Sequence, residues 1–230
     1  MNLKENLTLG EQAQKAFYLC RSNPRAFLKL LKAFLKGCLY IGYYRLNGSR
    51  VKIGFPFFVY YKVRIYGPGG VRIGKYCSVF PNVFRGLTIV TLSSFAQVII
   101  GDKCDLGGMI IRCRNRIEIG SKTMSANSLV QDTLFVNSNR VKSKIQDNFT
   151  LLQDSINIGK NTWIGSQSLV LFGSCIGDHS VLSRGCLCVN DTVLSYHLTT
   201  GNPMLRPMSI EKIDSLFHNP THHRDVENTK

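Results

Sequence analysis

Five histidines and eight cysteines are the side chains of this sequence best suited to act as bases, nucleophiles or metal ligands. Histidine titrates near neutral pH and therefore suits a general base, and three histidines can together hold a catalytic zinc ion. We reject a zinc enzyme, because its three histidines would come from successive elements and no histidine precedes His179. The histidines are His179, His197, His218, His222 and His223.

The cysteines indicate buried thiols. The N-terminal segment MNLKENLTLG is charged and lacks the apolar stretch of a secretory signal, so we expect a cytoplasmic protein without a disulfide framework. Cys186-Leu187-Cys188 has no second ligand pair nearby, so we expect no metal there. Cys77, Cys186 and Cys188 also fall on positions of a sequence repeat where a small buried side chain fits.

That repeat has a period of six residues and must position any functional side chain. From Ile158 onwards an apolar residue recurs at every sixth position, and a small residue follows four positions after each one. Neither the 3.6 period of a helix nor the 2.0 period of a strand gives this spacing. A hexapeptide period predicts a β-helix, in which short strands and tight corners stack coil upon coil. The apolar positions are Ile158, Ile164, Val170, Ile176, Leu182 and Cys188, and the small ones are Thr162, Ser168, Ser174, Ser180, Cys186 and Thr192.

The same period runs earlier in the chain, with interruptions. Its members are Ile73 with Val79, Ile100 with Leu106, and Ile119 with Ser125 and Gln131. Ile53-Gly54 indicates that the coil begins near residue 51, and the pattern fails between Asp132 and Ile156. We therefore predict a helical segment over 1–50, a β-helix over 51–208 and a short helix or tail over 209–230. The failure predicts an excursion loop at about 133–155, and such loops often carry binding function.

The first 50 residues contribute strongly to a formal charge of +15. Asn23-Pro24 predicts a helix start, with asparagine as the N-cap and proline in the first helical position. No acidic residue occurs from Arg21 to Arg50, and Lys29, Lys32 and Lys36 fall on one side of the predicted helix. No run reaches the roughly 18 apolar residues that are needed to span a bilayer.

Two interpretations of this basic amphipathic helix remain open. It could lie on an anionic membrane surface, or it could pack on the end of the β-helix and shield the strand edges there. Nucleic acid is not an expected partner, because no zinc-finger spacing, RNA-binding strand or recognition helix accompanies the charge. Charge alone influences solubility and steering.

Five short segments carry a more specific pattern. They are Asn161-Thr162-Trp163-Ile164-Gly165, Ile176-Gly177-Asp178, Ser183-Arg184-Gly185, Asn190-Asp191 and Gly201-Asn202-Pro203. Together they resemble the closing coils of the hexapeptide-repeat acyltransferases, most of all the maltose, galactoside and polysaccharide O-acetyltransferases. The resemblance covers roughly residues 51 to 208. It implies a left-handed parallel β-helix, a homotrimer, and acetyl-CoA bound in a groove between neighbouring subunits.

The resemblance also implies a reaction, the transfer of an acetyl group to a sugar hydroxyl. A hydroxyl is a weak nucleophile at neutral pH, so a base must take its proton during attack. Family members supply a histidine from a segment like Asp-Thr-Asp-Phe-His, and the equivalent segment here is Asp132-Thr133-Leu134-Phe135-Val136. Val136 therefore occupies the position of the family's histidine, and Asp132 or a water-relayed group becomes the candidate base. His197, in the turn before Gly201, could reach a neighbouring subunit's groove, whereas His179 falls in a corner expected to face solvent.

The positions that the resemblance assigns to the cofactor include two departures from the family. Arg184 replaces a small residue and would either pair with the phosphates of CoA or fill its groove. Asn190 replaces a lysine. Trp163 is retained, and it would pack beside the cofactor or simply cover the outside of the coil. The full set is Trp163, Ser183, Arg184, Asn190, Gly201, Asn202 and Pro203.

These observations leave two hypotheses. The first is an acetyl-CoA-dependent O-acetyltransferase that acts on a cell-envelope polysaccharide or a lipid-linked glycan precursor, in the cytoplasm or at the inner membrane face, without a metal. The second is a catalytically degenerate homologue that serves as a trimeric scaffold or partner subunit. A base placed close to an acceptor hydroxyl would distinguish them.

Overall fold

Helix α1, Pro24–Leu46, is the first element of the computed structural model, which describes residues 23–47, 50–81, 86–133, 155–202 and 208–209. The helix begins as predicted from the sequence. The Asn23 side chain accepts the Ala26 backbone N–H at 3.1 Å, and Pro24 occupies the first turn, where its missing N–H costs nothing. The predicted N-cap is therefore confirmed.

Short strands follow α1 in a regular succession. In chain order they are β1 (Val51–Ile53), β2 (Phe57–Val59), β3 (Val63–Tyr66), β4 (Gly70–Ile73), β5 (Cys77–Val79), β6 (Leu87–Thr91), β7 (Gln97–Ile100), β8 (Asp105–Gly107), β9 (Ile110–Cys113), β10 (Arg116–Ile119), β11 (Met124–Ala126), β12 (Leu129–Gln131), β13 (Ile156–Ile158), β14 (Trp163–Ile164), β15 (Leu169–Leu171), β16 (Cys175–Ile176), β17 (Val181–Leu182), β18 (Leu187–Cys188), β19 (Thr192–Val193), β20 (His197–Thr199) and β21 (Met208–Ser209).

Every third strand pairs in parallel, which produces three sheets. Sheet A contains β1, β4, β7, β10, β13, β16 and β19; sheet B contains β2, β5, β8, β11, β14, β17, β20 and β21; sheet C contains β3, β6, β9, β12, β15 and β18. Each coil contributes one strand to each sheet and turns through an A–B, a B–C and a C–A corner. The exception is β21, which pairs antiparallel with β20. The predicted left-handed parallel β-helix is confirmed, with six complete coils and part of a seventh.

The interior of the coil is formed by the repeat read from the sequence. The six apolar positions from Ile158 to Cys188 are each at most 2% exposed. The strict period is wrong at two places, however. Val130 rather than Gln131 pairs with the interior residue Val170, and Val193 rather than a residue six after Cys188 fills the last rung. In both places one corner is a residue shorter, so Thr192 is exposed instead of lying in a small-residue position.

The A–B corner explains the glycine that follows so many interior residues. At Gly120, for example, an added Cβ would lie 2.6 Å from the Gly159 carbonyl oxygen of the next coil. From the second coil onwards, the third residue after the end of each sheet A strand has positive φ, a backbone conformation that non-glycine residues rarely adopt. The N–H of each donates to a carbonyl of the preceding coil, as from His179 to Lys160 at 2.8 Å. The positive-φ residues of this corner are Tyr76, Lys103, Lys122, Asn161, His179 and Tyr196.

Helix α1 covers the open end of the first coil. Ala33, Gly37 and Tyr44 are buried there, and Gly37 lies so close to Phe57 that an added Cβ would overlap the Phe57 carbonyl oxygen. The Tyr40 hydroxyl accepts the Val63 N–H of the edge strand β3 at 3.4 Å. The helix therefore shields a sheet edge that would otherwise be open to pairing.

Three sequence predictions lie wholly or partly outside the described residues. Strand β12 ends at Gln131 and β13 begins at Ile156, and residues 134–154 of the predicted excursion loop fall outside the described ranges. Of the predicted C-terminal segment only Ser209 is described, and it belongs to β21. The segment 1–50 is described from Asn23 to Asn47 and at Arg50. None of the described helices is long and apolar enough to cross a membrane.

Candidate functional site

Trp163 lies on the outer face of sheet B. Its side chain is 56% exposed, while its backbone N–H donates to the Ser180 carbonyl of the next coil at 2.9 Å. Met124, 48% exposed, and Val181 flank it in register on the neighbouring strands. Ala126 and Gly165, two residues after Met124 and Trp163, add at most a methyl group to this part of the sheet. The indole therefore borders a shallow apolar surface that a ligand could contact.

Four more of the predicted cofactor residues lie together at the B–C corner. Ser183 and Arg184 follow β17 there, and Gly201 and Asn202 occupy the same corner in the last coil. The Arg184 guanidinium donates from Nε and Nη2 to the Gln167 Oε1 at 3.3 and 3.2 Å, one coil earlier. Arg184 is exposed, so in this chain its side chain lies along the corner. Pro203 lies outside the described residues.

Asn190 lies at a different corner from that group. It occupies the C–A corner with φ 52°, and its N–H donates to the Phe172 carbonyl at 2.9 Å. Its neighbour Asp191 accepts the Val189 N–H at 3.0 Å through Oδ2. Asp132 lies at the C–A corner too, two coils earlier. The structure therefore places Trp163 on sheet B, four predicted residues at the B–C corner, and Asp132 and Asn190 at the C–A corner two coils apart.

The Asp132 carboxylate is buried and engaged on both oxygens. Oδ1 accepts the Arg114 N–H at 2.6 Å and Oδ2 accepts the Asn115 N–H at 2.7 Å. The Cys113 thiol also donates to Oδ2 at 3.4 Å. Burial, and after it the negative charge of Asp132, raises the pKa of Cys113 far above its usual value. The carboxylate thus holds the corner of the preceding coil in place, directly after strand β12.

The two described histidines differ in their surroundings. His179 is exposed, as expected from its corner position, and stacks on Tyr196 with ring centroids 4.7 Å apart. Its Nδ1 lies 2.9 Å from the Asn161 amide nitrogen. His197 is half-buried, and its Nδ1 lies 2.8 Å from the Ser195 carbonyl oxygen. Since a carbonyl can only accept, that contact places a proton on Nδ1 and leaves Nε2 of the neutral ring able to accept one.

Sequence reasoning missed a Ser–Asp pair on the outer face of sheet B. The Ser78 hydroxyl donates to the Asp105 carboxylate, and the two residues lie opposite each other on β5 and β8. Burial, with a further effect of the Asp105 charge, raises the pKa of the nearby Tyr60, whose ring stacks on Phe80 at 4.5 Å. No sequence signal joins Ser78 to Asp105, because the two belong to different coils.

A cavity of about 260 Å³ opens on sheet C, away from the predicted residues. It is lined by Tyr61, Lys62, Arg64, Gly86, Leu87, Thr88 and Ile110. Within the described ranges, no group of three or more His, Cys, Asp or Glu side chains could hold a metal ion.

Comparison with known proteins bears on the fold. No protein-family model matches the sequence, and no curated protein matches it. Among solved structures, AntD, an N-acyltransferase from Bacillus cereus crystallised with coenzyme A and dTDP-4-amino-4,6-dideoxyglucose, is similar with a TM-score of 0.51 at 14% identity. The match covers 77% of this chain and 95% of AntD.

Two further structures are more distantly similar. A galactoside acetyltransferase in complex with coenzyme A has a TM-score of 0.41 at 16% identity, over 81% of this chain and 84% of that one. The hexapeptide-repeat acetyltransferase VCA0836 from Vibrio cholerae has 0.40 at 18%, over 70% and 67%. The sequence repeat, the three-sheet coil and the similarity to AntD together show that the chain folds as a hexapeptide-repeat β-helix.

Proposed function

We propose that this protein is a hexapeptide-repeat acyltransferase that transfers an acetyl group from acetyl-CoA to a sugar hydroxyl. The acceptor we propose is a cell-envelope polysaccharide or its lipid-linked precursor. The observation that carries the proposal is the fold shared with AntD, which extends over 95% of that N-acyltransferase. AntD was crystallised with coenzyme A and an amino-sugar nucleotide, so its ligands are of the two chemical classes that the proposal requires.

The proposed cofactor surface runs from Trp163 to the B–C corner. The exposed indole offers an apolar face for the pantetheine chain, and Arg184 offers a cation for the phosphates. A guanidinium has five N–H donors, and the bonds to Gln167 use only two of them. Arg184 can therefore bind phosphate while Gln167 still orients it. Ser183, Gly201 and Asn202 line the same corner, whereas Asn190 would contribute only through another subunit.

In the proposed reaction, the acceptor oxygen attacks the thioester carbonyl carbon, a base takes the hydroxyl proton, and the CoA thiolate leaves and is protonated. Asp132 was the base expected from the sequence, and it remains a candidate. Its two oxygens already accept backbone N–H groups and it is 1% exposed, which favours a role in positioning the segment that follows it. His197 is a better candidate for the base than Asp132, because its Nε2 can accept a proton.

We also propose that the protein forms a homotrimer. The outward positions of sheet C hold a row of half-buried aliphatic side chains at matching places in successive coils, an arrangement that suits a subunit interface. They are Ile110, Leu129, Leu169 and Leu187. A groove between subunits would bring the C–A corner of one subunit, with Asn190, towards a neighbour's B–C corner.

The test is calorimetric titration of the purified protein with acetyl-CoA, with Arg184→Ala alongside. We expect saturable binding that weakens by about tenfold in Arg184→Ala, the usual loss for a charge-assisted bond to phosphate. If the native protein did not bind acetyl-CoA and the Arg184→Ala variant did, Arg184 would fill the groove. Acceptor-dependent release of CoA from acetyl-CoA, measured with a panel of sugars in the native protein and in His197→Gln, then tests the base.

The catalytically degenerate scaffold is the second candidate. It is favoured by Val136 in the position of the family's histidine and by the engagement of both Asp132 oxygens. Val136→His separates the two candidates. A gain in turnover supports the acyltransferase with an otherwise intact site, and no turnover in either protein supports the scaffold.

A further inference from the structure

The exposed side of α1 carries a continuous row of large apolar side chains. They follow one another at intervals of three or four residues, the spacing that keeps residues on one face of a helix. Each is between 41% and 89% exposed. This outer ridge consists of Leu28, Leu31, Leu35, Leu39, Tyr43 and Leu46.

The outer ridge faces away from the rest of the protein. At 3.6 residues per turn, Leu35 and Leu39 lie on the opposite side of α1 from Ala33, Gly37 and Tyr44, which are buried against the first coil. One face of the helix thus packs on the first coil, and the ridge is a second apolar face that does not contact it. Contiguous exposed apolar surface of this kind marks a site of interaction with a protein or a membrane.

Positive charge borders the ridge. Arg25, Lys29, Lys32 and Lys36 are exposed and lie along one side of the ridge. The helix contains no acidic residue, and no Asp or Glu occurs in the sequence between Glu11 and Asp102. The described part of that interval comprises α1 and the first two coils, with Lys52, Arg64 and Arg72 also exposed. This whole end of the molecule is therefore basic.

We propose that the outer ridge of α1 docks on an anionic membrane surface. An apolar ridge flanked by lysine and arginine suits an anionic membrane surface. The leucines would insert at the boundary between headgroups and acyl chains, while the cations would remain among the headgroups. A second copy of this chain would bring the same lysines together and repel itself, whereas anionic lipid neutralises them. The proposal stands independently of acyl transfer, since it uses none of the residues of the candidate site.

Docking in this way orients the coil. Helix α1 lies across the end of coil 1, so the membrane plane lies at that end and the coil axis points away from it. Adjacent strands of a sheet are about 4.8 Å apart, so Trp163, on coil 5, would lie about 19 Å farther from the membrane than coil 1.

The test is flotation of the full-length protein with vesicles of phosphatidylcholine alone and with vesicles that also contain phosphatidylglycerol. We expect binding to the anionic vesicles only, weakening as salt is raised. Leu35→Ser/Leu39→Ser should weaken it by more than about tenfold, and Lys32→Gln/Lys36→Gln by about tenfold or more. These positions are exposed, so all variants should keep the native circular dichroism spectrum.

Matched controls lie on distant coils. Leu194→Ser removes a leucine that is 63% exposed, and Lys122→Gln/Lys160→Gln removes two exposed lysines of the A–B corner. Both should bind vesicles like the native protein. Binding that survives Leu35→Ser/Leu39→Ser unchanged would overturn the proposal. The proposal would also be overturned if the native protein did not bind anionic vesicles and the Leu35→Ser/Leu39→Ser variant had a lower mass than the native protein in light scattering. A second copy of the chain would then cover the ridge.

Discussion

The carboxylate of Asp132 accepts the backbone N–H of Asn115, which belongs to the preceding coil, at 2.7 Å. Its other oxygen accepts the N–H of Arg114, so one buried side chain fixes two consecutive peptide groups. Two N–H donors can satisfy a buried carboxylate without a cation, because each of its oxygens then has a hydrogen-bond partner. Asp132 thereby joins two coils at the C–A corner that follows β12.

Asp132→Asn should therefore destabilise the fold by about 1–3 kcal/mol, since an amide presents a donor where one N–H now requires an acceptor. Thermal unfolding measures the loss. Asp191→Asn is the matched control, because Asp191 lies at the same corner but is half-buried and accepts the Val189 N–H of its own coil rather than two N–H groups of the preceding one. A variant Asp132→Asn with native stability and no activity would return Asp132 to the role of base.

Two glycines of α1 predict opposite effects of the same substitution. Gly42 has nothing within 4 Å of an added Cβ, so Gly42→Ala should stabilise the protein by about 0.5–1 kcal/mol through helix propensity. Gly37→Ala would overlap the Phe57 carbonyl oxygen and should separate the helix from the first coil. Chemical denaturation of both variants tests this. Equal effects at the two positions would mean that α1 does not pack on Phe57.

Stability should fall in alkaline solution. Burial raises the pKa of Cys113, with Asp132 adding to the effect, and burial also raises the pKa of Tyr44 and Tyr60. The unfolded chain then loses these protons at lower pH than the folded one. The contribution of the Cys113 thiol to the free energy of unfolding is complete below its unfolded pKa of 9.0, and that of the two tyrosines below 10.0. Each contribution is lost as pH rises towards the higher pKa of the folded state.

The measurement for this pH dependence is the melting temperature as a function of pH from neutrality upwards. Each such group steepens the fall by at most about 1.4 kcal/mol per pH unit. Cys113→Ala should flatten the curve, whereas Cys175→Ala should not, because Cys175 is exposed. Identical curves for the two variants would show that the Cys113 thiol titrates normally.

Trp163 makes the proposed cofactor surface directly observable, because it is the sole tryptophan of the chain. At 56% exposure its fluorescence should be quenched readily by iodide. Acetyl-CoA should protect it from that quenching, and Arg184→Ala should raise the concentration needed by about tenfold. If acetyl-CoA did not protect Trp163 of the native protein from iodide quenching, the outer face of sheet B would be excluded as the binding surface.

The repeat was predictable because each interior position is a local choice among apolar residues. Ile158, Ile164 and Val170 are all buried as their spacing requires, and Asn23 caps α1 as its position before Pro24 requires. The shortened corners before Val130 and Val193 were not predictable. A strict six-residue period places Gln131 at an interior position and Thr192 at a small-residue position, and the size of neither side chain argues against that placement.

The candidate site was less predictable because it depends on contacts between coils. Asp132 was identified as a candidate base, yet nothing in its own segment indicates that Arg114 and Asn115 donate to it. Likewise Ser78 and Asp105 come together only through the register of β5 and β8. The resemblance assigned Trp163, Arg184 and Asn190 to one cofactor site. Their places on different strands and corners depend on the number of residues in each coil.

The break between β12 and β13 has a consequence for the history of such a protein. Gln131 and Ile156 end and begin their strands at the same C–A corner, which the next coil crosses with only Phe172, Gly173 and Ser174. Ile117 pairs directly with Ile156 although residues 134–154 lie between their strands, so we expect sequence inserted or exchanged there to shift no rung on either side. The scaffold can thus stay constant while this one segment varies, so descendants could diverge in what they recognise by exchanging about twenty residues.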